Sequence, residues 1–139
     1  MPTLRLVADV HSLEQIRSFV TRACKALGLN SDDVWAVQLA TDEACSNVLV
    51  HAYAGQPGAL EVHVEGEPQG IRVTIRDWGD SFDPDAVPEP DLTVPLEERK
   101  VGGLGVYMMH KLMDEISYDF DAEQGNTLVM LRRIHCAGS

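Results

Sequence analysis

The chain opens on an apolar-rich run, residues 4–8, that reads as a short first strand. Leu13, Ile16, Phe19, Val20, Ala23 and Leu27 then recur at helical spacing. Ser12 stands before them as an expected cap, Gln15 occupies the capping-box position and Gly28 stops the run. Ser31, followed by Asp32 and Asp33 in the first turn, opens a second helix that is expected to continue to about Tyr53, ahead of Gly55, Pro57 and Gly58. Residues 60–65 and 71–75 alternate apolar with polar around the turn Glu67-Pro68-Gln69-Gly70, which predicts a hairpin with one wet face. Residues 80–101 carry four prolines and many acids without periodicity, the pattern of a functional loop. A helix is expected over 104–113, with Gly102, Gly103 and Gly105 at its mouth, and a closing hairpin over 115–120 and 127–133 around Gln124-Gly125-Asn126. The order β-α-α-β-β-loop-α-β-β predicts an α+β fold: a two-layer sandwich with a mixed, mostly antiparallel sheet and helices on one face. Met108, Met109 and Leu112 are expected as core filler, and Trp35 as a packed residue near a helix start.

A length of 139 residues fits one domain over 1–139, large enough for an ordinary core without disulfide or metal staples. The balance of 11 basic against 22 acidic residues, a net charge of −11, argues against a nucleic-acid surface and against an anionic membrane surface. An anionic ligand on such a chain must find its positive field locally, from backbone donors and a metal ion. Cys24, Cys45 and Cys136 are odd in number and lack C-x-x-C spacing, so reduced thiols and a cytoplasmic location are expected. The first ten residues do not read as a signal peptide, and no stretch approaches the ~20 apolar residues of a membrane span. The five histidines are scattered, which disfavours a zinc site.

Three features carry candidate chemistry. In Thr41-Asp42-Glu43-Ala44-Cys45-Ser46-Asn47, Glu43 and Asn47 lie four apart on a helix and project from nearly the same side. An amide oxygen suits Mg²⁺ and a carboxylate can polarise an attacking hydroxyl, although a Glu-x-x-x-Asn pair alone also describes a solvated helix face. Arg76-Asp77-Trp78-Gly79-Asp80 follows a strand. There Asp77 can accept a bond from an exocyclic amine and Gly79 allows close backbone approach to a flat ring; an ordinary Asp/Gly turn reads the same way. Trp78 either borders that site or stands as an exposed loop aromatic. Gly102-Gly103-Leu104-Gly105-Val106 opens a helix whose free N–H groups suit phosphate oxygens, without the Gly-Lys-Ser/Thr of a P-loop.

The ordered set is more specific than its parts. It resembles the N, G1 and G2 boxes of the GHKL (Bergerat-fold, histidine-kinase-like) ATPases, with Gly125-Asn126-Thr127-Leu128 similar to the closing Gly/Thr box. The wording of the boxes most resembles the anti-sigma-factor serine/threonine kinases over nearly the whole chain. That resemblance implies Glu43 as general base, Asn47 as a ligand of Mg²⁺, Asp77 and Gly79 on the adenine of ATP, and Gly102, Gly103, Leu104 and Gly105 around the phosphates. It further implies Thr127 as the residue supporting Asp77, while Arg99 or Lys100 could reach the γ-phosphate. The implied partners are a STAS-type anti-anti-sigma protein, as phosphoacceptor, and an RNA polymerase sigma factor. The branch commonly dimerises, which leaves a homodimer open. Ser81 stands where the G1 box usually has its second glycine, a replacement the branch often tolerates. The shortness of the G1–G2 loop argues against gyrase, Hsp90 or MutL machines. A start at Met1 and a stop near Ser139 weigh against a catalytic domain cut from a sensor histidine kinase. The alternative within the same fold is a module that binds ATP or sigma without phosphorylating anything.

Overall fold

A computed structural model describes residues 3–80, 103–121 and 123–134, with only the backbone of Val10 and of residues 103–107. Its elements follow the expected order. Strand β1 (Thr3–Ala8) leads through a 3₁₀ turn (Val10–Ser12) into helix α1 (Leu13–Ala26). Helix α2 (Ser31–Asn47) passes without a break into a π-helical turn (Val48–Ala52). Strands β2 (Gly58–Glu67) and β3 (Gly70–Asp77) form the first hairpin, and helix α3 (Gly103–Leu112) precedes β4 (Glu115–Asp121) and β5 (Gly125–Arg133). The expected loop over 80–101, with Ser81, Arg99 and Lys100, lies outside the described residues beyond Asp80, as do Gly102 and Cys136.

The strands make one sheet in the order β1-β2-β3-β5-β4. Every pairing among the described residues is antiparallel, so the expected parallel component is missing there. The two-residue period decides what each face carries. Leu60, Val62 and Val64 on β2 and Ile71, Val73 and Ile75 on β3 are buried against the helices, while Glu61, His63 and Glu65 turn to the open face. Ile16, Val20 and Cys24 of α1 and Val37, Ala40 and Ala44 of α2 complete that core. The run of alanines on α2 lets the helix lie close to the sheet, since small side chains shorten interhelical and helix–sheet spacing.

Several local expectations shift by a residue or two. Asn30, not Ser31, caps α2, its Oδ1 accepting from the Asp33 amide at 2.8 Å. Ser12 does not cap α1; its hydroxyl accepts from the Asp9 amide at 3.1 Å, while Asp9 Oδ1 accepts from His11 N at 2.8 Å. The capping box therefore belongs to the 3₁₀ turn, whose last residue is already helical when α1 begins. Leu27 is 43% exposed at the end of α1, and Trp35 is 57% exposed, so neither packs as its spacing predicted. Of the three residues expected as core filler, Met109 is fully buried while Met108 and Leu112 are half-buried, and Met113 is nearly buried beside them. Asp33 is buried near the start of α2 and meets Arg132 Nε at 3.0 Å, and Arg132 also donates to the Leu112 carbonyl at the end of α3. One guanidinium thus ties both helices to β5. Cys24 and Cys45 are buried free thiols; burial pushes Cys24 up to about 11 and Cys45 higher still, so neither is a nucleophile at neutral pH.

Candidate functional site

The alternation that buries Ile75 next buries Asp77, the last residue of β3. On β5 the same period buries Met130, Leu128 and then Asn126. Register pairs Val73 with Met130, Ile75 with Leu128 and Asp77 with Asn126. A carboxylate and an amide therefore meet on the helix-covered face at the end of the sheet, where apolar positions run out. Asn126 Nδ2 donates to Asp77 Oδ1 at 2.9 Å and to the Gly79 carbonyl at 3.1 Å, and the Gly79 amide donates to the same Oδ1 at 3.0 Å. Both of these bonds to the carboxylate fall on Oδ1; Oδ2 accepts none among the described residues, so it is the oxygen left to receive a ligand's donor. Burial holds the Asp77 carboxyl above its usual range, opposed by the bonds from Asn126 and Gly79.

Asp77 lines a cavity shared with Ala44, Asn47, Met109 and Thr127, and walled on one side by Tyr118 and Phe120. Those two rings stack with centroids 6.0 Å apart, and Phe120 keeps 41% of its surface exposed at the rim. The cavity is thus a mostly apolar slot with a carboxylate at its floor, the usual make-up of a site for a flat heterocycle.

Asn47 enters the slot from the last residue of α2 and is buried. Its Nδ2 donates to Met109 Sδ at 3.8 Å, a weak bond that leaves the amide oxygen without a hydrogen bond among the described residues. Among the described residues no cluster of three or more His, Cys, Asp and Glu could cage a metal. The donor set suits instead a cation that arrives with phosphate oxygens and water and asks one or two oxygens of the protein, the habit of Mg²⁺. Glu43, one turn earlier, is half-buried and outside the lining of the slot. Burial raises its carboxyl above the ordinary range, and the neighbouring Asp42 charge raises it further. Asp42 is itself engaged by Arg17 Nη2 at 3.2 Å from α1.

The sequence-predicted residues thus divide. Asn47, Asp77 and Thr127 come together in the slot, and Gly79, outside its lining, is tied to it through the bond from its amide to Asp77 Oδ1. Gly103, Leu104 and Gly105 form the first turn of α3, the helix that brings Met109 to Asn47. Gly102 lies outside the described residues. One expectation shifts. Thr127 lines the slot, but the bond to Asp77 is made by its neighbour Asn126, because Thr127 is one step out of phase and pairs with Arg76. Packing within the protein also demands glycine at Gly79: a Cβ there would stand 2.5 Å from the Ala52 carbonyl, which accepts from the Asp80 amide at 2.9 Å. Trp78 is 46% exposed with the Arg76 guanidinium 5.4 Å over its ring, so it takes the exposed-aromatic option. Asn126, Tyr118 and Phe120 were missed by sequence reasoning. The phase of the alternation from Met130 back through Leu128 would have found Asn126.

Fold and slot together define a nucleotide-binding ATPase domain, and comparison with known proteins agrees. The histidine kinase-like ATPase domain model matches residues 6–132. Serine-protein kinase RsbW of Halalkalibacterium halodurans is 36% identical over 112 residues, covering 77% of this chain and 68% of that protein. Proteins of the same name from Bacillus cereus and Bacillus velezensis are 27% and 28% identical over 94% and 95% of this chain. The chain belongs to the histidine kinase-like ATPase family and, within it, to the serine-protein kinases of the RsbW type. That family is one of ATP-dependent serine/threonine protein kinases. No helix among the described residues is long and apolar enough to cross a membrane.

Proposed function

We propose that this chain acts as an anti-sigma factor: a single-domain, cytoplasmic kinase over residues 1–139 that phosphorylates a STAS-type anti-anti-sigma protein and sequesters an RNA polymerase sigma factor. The observation that carries the reading is the shared slot, in which a register-fixed Asp77 and a helix-terminal Asn47 face one cavity. In it ATP lays adenine against Tyr118 and Phe120, with its exocyclic amine on Asp77 Oδ2. Asn47 supplies the amide oxygen to Mg²⁺, and the glycines at the mouth of α3 receive the phosphates. When bound, Mg²⁺ neutralises the charge that develops on the phosphate oxygens.

Glu43 then takes the proton of a partner's serine or threonine hydroxyl. The freed oxygen forms a bond to the γ-phosphorus as the bond from that phosphorus to the β-bridging oxygen breaks, and ADP leaves with the displaced electron pair. Glu43 reaches the reacting hydroxyl from outside the slot, which suits a base that serves a second protein rather than a bound small molecule. A carboxyl with a raised pKa is also a stronger base once ionised.

The test is transfer of label from γ-labelled ATP to a purified STAS-domain protein. The reading expects label on a serine or threonine of the partner, dependent on a divalent cation. Nucleotide binding without any transfer would reduce the chain to the binding module of the same fold.

A further inference from the structure

Tyr53, the first residue after the π-helical turn, has no role in the reading so far, yet it touches three parts of the site's frame. Its hydroxyl donates to the Ala59 carbonyl at 2.6 Å, at the start of β2, and accepts from the Trp78 amide at 2.9 Å, directly after Asp77. Its ring occupies the space beside Gly58, where a Cβ would lie 2.4 Å from the ring carbons. Only glycine at that position lets the ring lie flat on the strand start.

Three further polar backbone groups of the turn over 77–80 are held as well. The Gly79 amide is taken by Asp77 Oδ1, the Gly79 carbonyl by Asn126, and the Asp80 amide by the Ala52 carbonyl at the end of the π turn. Three of the partners in that set are Ala52, Tyr53 and Asn126, and two of these three come from the segment that directly follows Asn47. A π turn adds one residue to the helical repeat and rotates everything after it, which is how such turns come to serve functional sites. Here the rotation is what delivers the Ala52 carbonyl and the Tyr53 hydroxyl to the same turn. Burial, and after it the charge of Asp77, raises the Tyr53 hydroxyl's pKa against the opposing Trp78 N–H bond, so it remains a neutral donor and acceptor at working pH.

We propose that Tyr53 is a positioning residue for base recognition: its hydroxyl clamps the Asp77–Trp78 peptide to the start of β2 and so sets where the Asp77 carboxylate meets the exocyclic amine of a purine. The inference rests on the nucleotide reading above and adds a residue to it. It also makes the helix that carries Asn47 and the strand end that carries Asp77 one mechanical unit, joined by five residues of π turn and one hydroxyl.

Tyr53→Phe keeps the ring and deletes the clamp. The measurement is calorimetric titration of wild type and variant with ATP and with the 6-unsubstituted purine riboside triphosphate, which lacks the amine. Wild type is expected to prefer ATP, and Tyr53→Phe to lose about tenfold on ATP, the worth of one to two hydrogen bonds, while its affinity for the amine-free analogue is unchanged. A general loosening of the fold would weaken both ligands alike and overturn the proposal, as would a variant that keeps the wild-type preference for ATP. Absence of any nucleotide binding by wild type would defeat the nucleotide reading itself and is thereby distinguishable. Should Tyr53→Phe fail to fold, Gly58→Ala, which displaces the ring from the strand start, is expected to lose the same preference; its retention there counts equally against the clamp.

Discussion

Replacing Glu43 by Gln is expected to abolish phosphotransfer to the partner protein, by about 10²–10⁴-fold, while nucleotide affinity stays at the wild-type level. Glu43 is outside the lining of the slot, so an isosteric amide there removes no contact with the nucleotide. What it removes is the group that can hold the hydroxyl's proton in the transition state. The pH dependence carries a second signature. A general base works only when ionised, so the transfer rate falls on the acid side, and the raised carboxyl of Glu43 moves that fall above the usual glutamate range. Pre-steady-state transfer at saturating ATP, measured against pH, should show this limb in wild type and not in the residual activity of Glu43→Gln. Arg17 modulates it indirectly, because the guanidinium drains charge from Asp42, the neighbour that pushes Glu43 upward.

Asp77→Asn is the second substitution of large expected effect, and it acts on binding. Asp77 Oδ1 is already committed to Asn126 Nδ2 and the Gly79 amide, both donors. An asparagine can satisfy them only by turning its own oxygen toward them, which leaves its NH₂ facing the adenine amine, donor against donor. Loss of a charge-assisted bond and creation of a buried mismatch together cost about 3 kcal/mol or more, over a hundredfold in Kd. A base with a carbonyl oxygen in place of the amine should suffer far less in the variant, so inosine or guanosine triphosphate gains relative to ATP. Calorimetry with the two nucleotides reads the reversal.

The loss at Asp77 is not an unfolding effect, and the linkage sign shows why. The folded-state carboxyl is held above its unfolded value by burial. The stability this contributes is full at low pH and disappears as pH rises through the raised pKa, so at neutral pH the charge is a burden to the fold. Asp77→Asn removes that burden and is expected to melt no lower than wild type at pH 7. A site residue whose removal leaves stability intact while destroying affinity is the pattern expected where a buried charge serves a ligand.

Much of this was legible in the sequence for identifiable reasons. The helical runs of α1 and the two hairpins announce themselves by period, and the strand-end position of Asp77 follows from the alternation before it. The Glu43–Asn47 spacing places two polar groups on one side of a helix, and the structure gives them different environments, one in the slot and one outside. What the pattern hid depends on phase and on longer-range contacts. The closing box points to Thr127, which does line the slot, but a one-residue difference in strand phase gives the direct bond to Asp77 to Asn126. The end of the second helix was drawn as uniform to Tyr53, whereas the turn after Asn47 changes to π geometry, and no local composition marks that change. The tight contact of Gly79 with Ala52 spans 27 positions of chain and is set by the sheet's packing on α2. Trp35 near the start of a helix is expected to pack, yet it is 57% exposed, because helical spacing alone does not say which side of α2 the sheet and α1 cover.

The most direct test of the central claim, a nucleotide slot that binds its ligand through a metal at Asn47, is isothermal titration of wild type and Asn47→Ala with ATP and ADP, with and without Mg²⁺. The account predicts Mg²⁺-enhanced binding by wild type, and an Asn47→Ala protein whose affinity is low and no longer improved by Mg²⁺. Well-folded wild-type protein that takes up neither nucleotide, or an Asn47→Ala variant with undiminished Mg²⁺ enhancement, would contradict it.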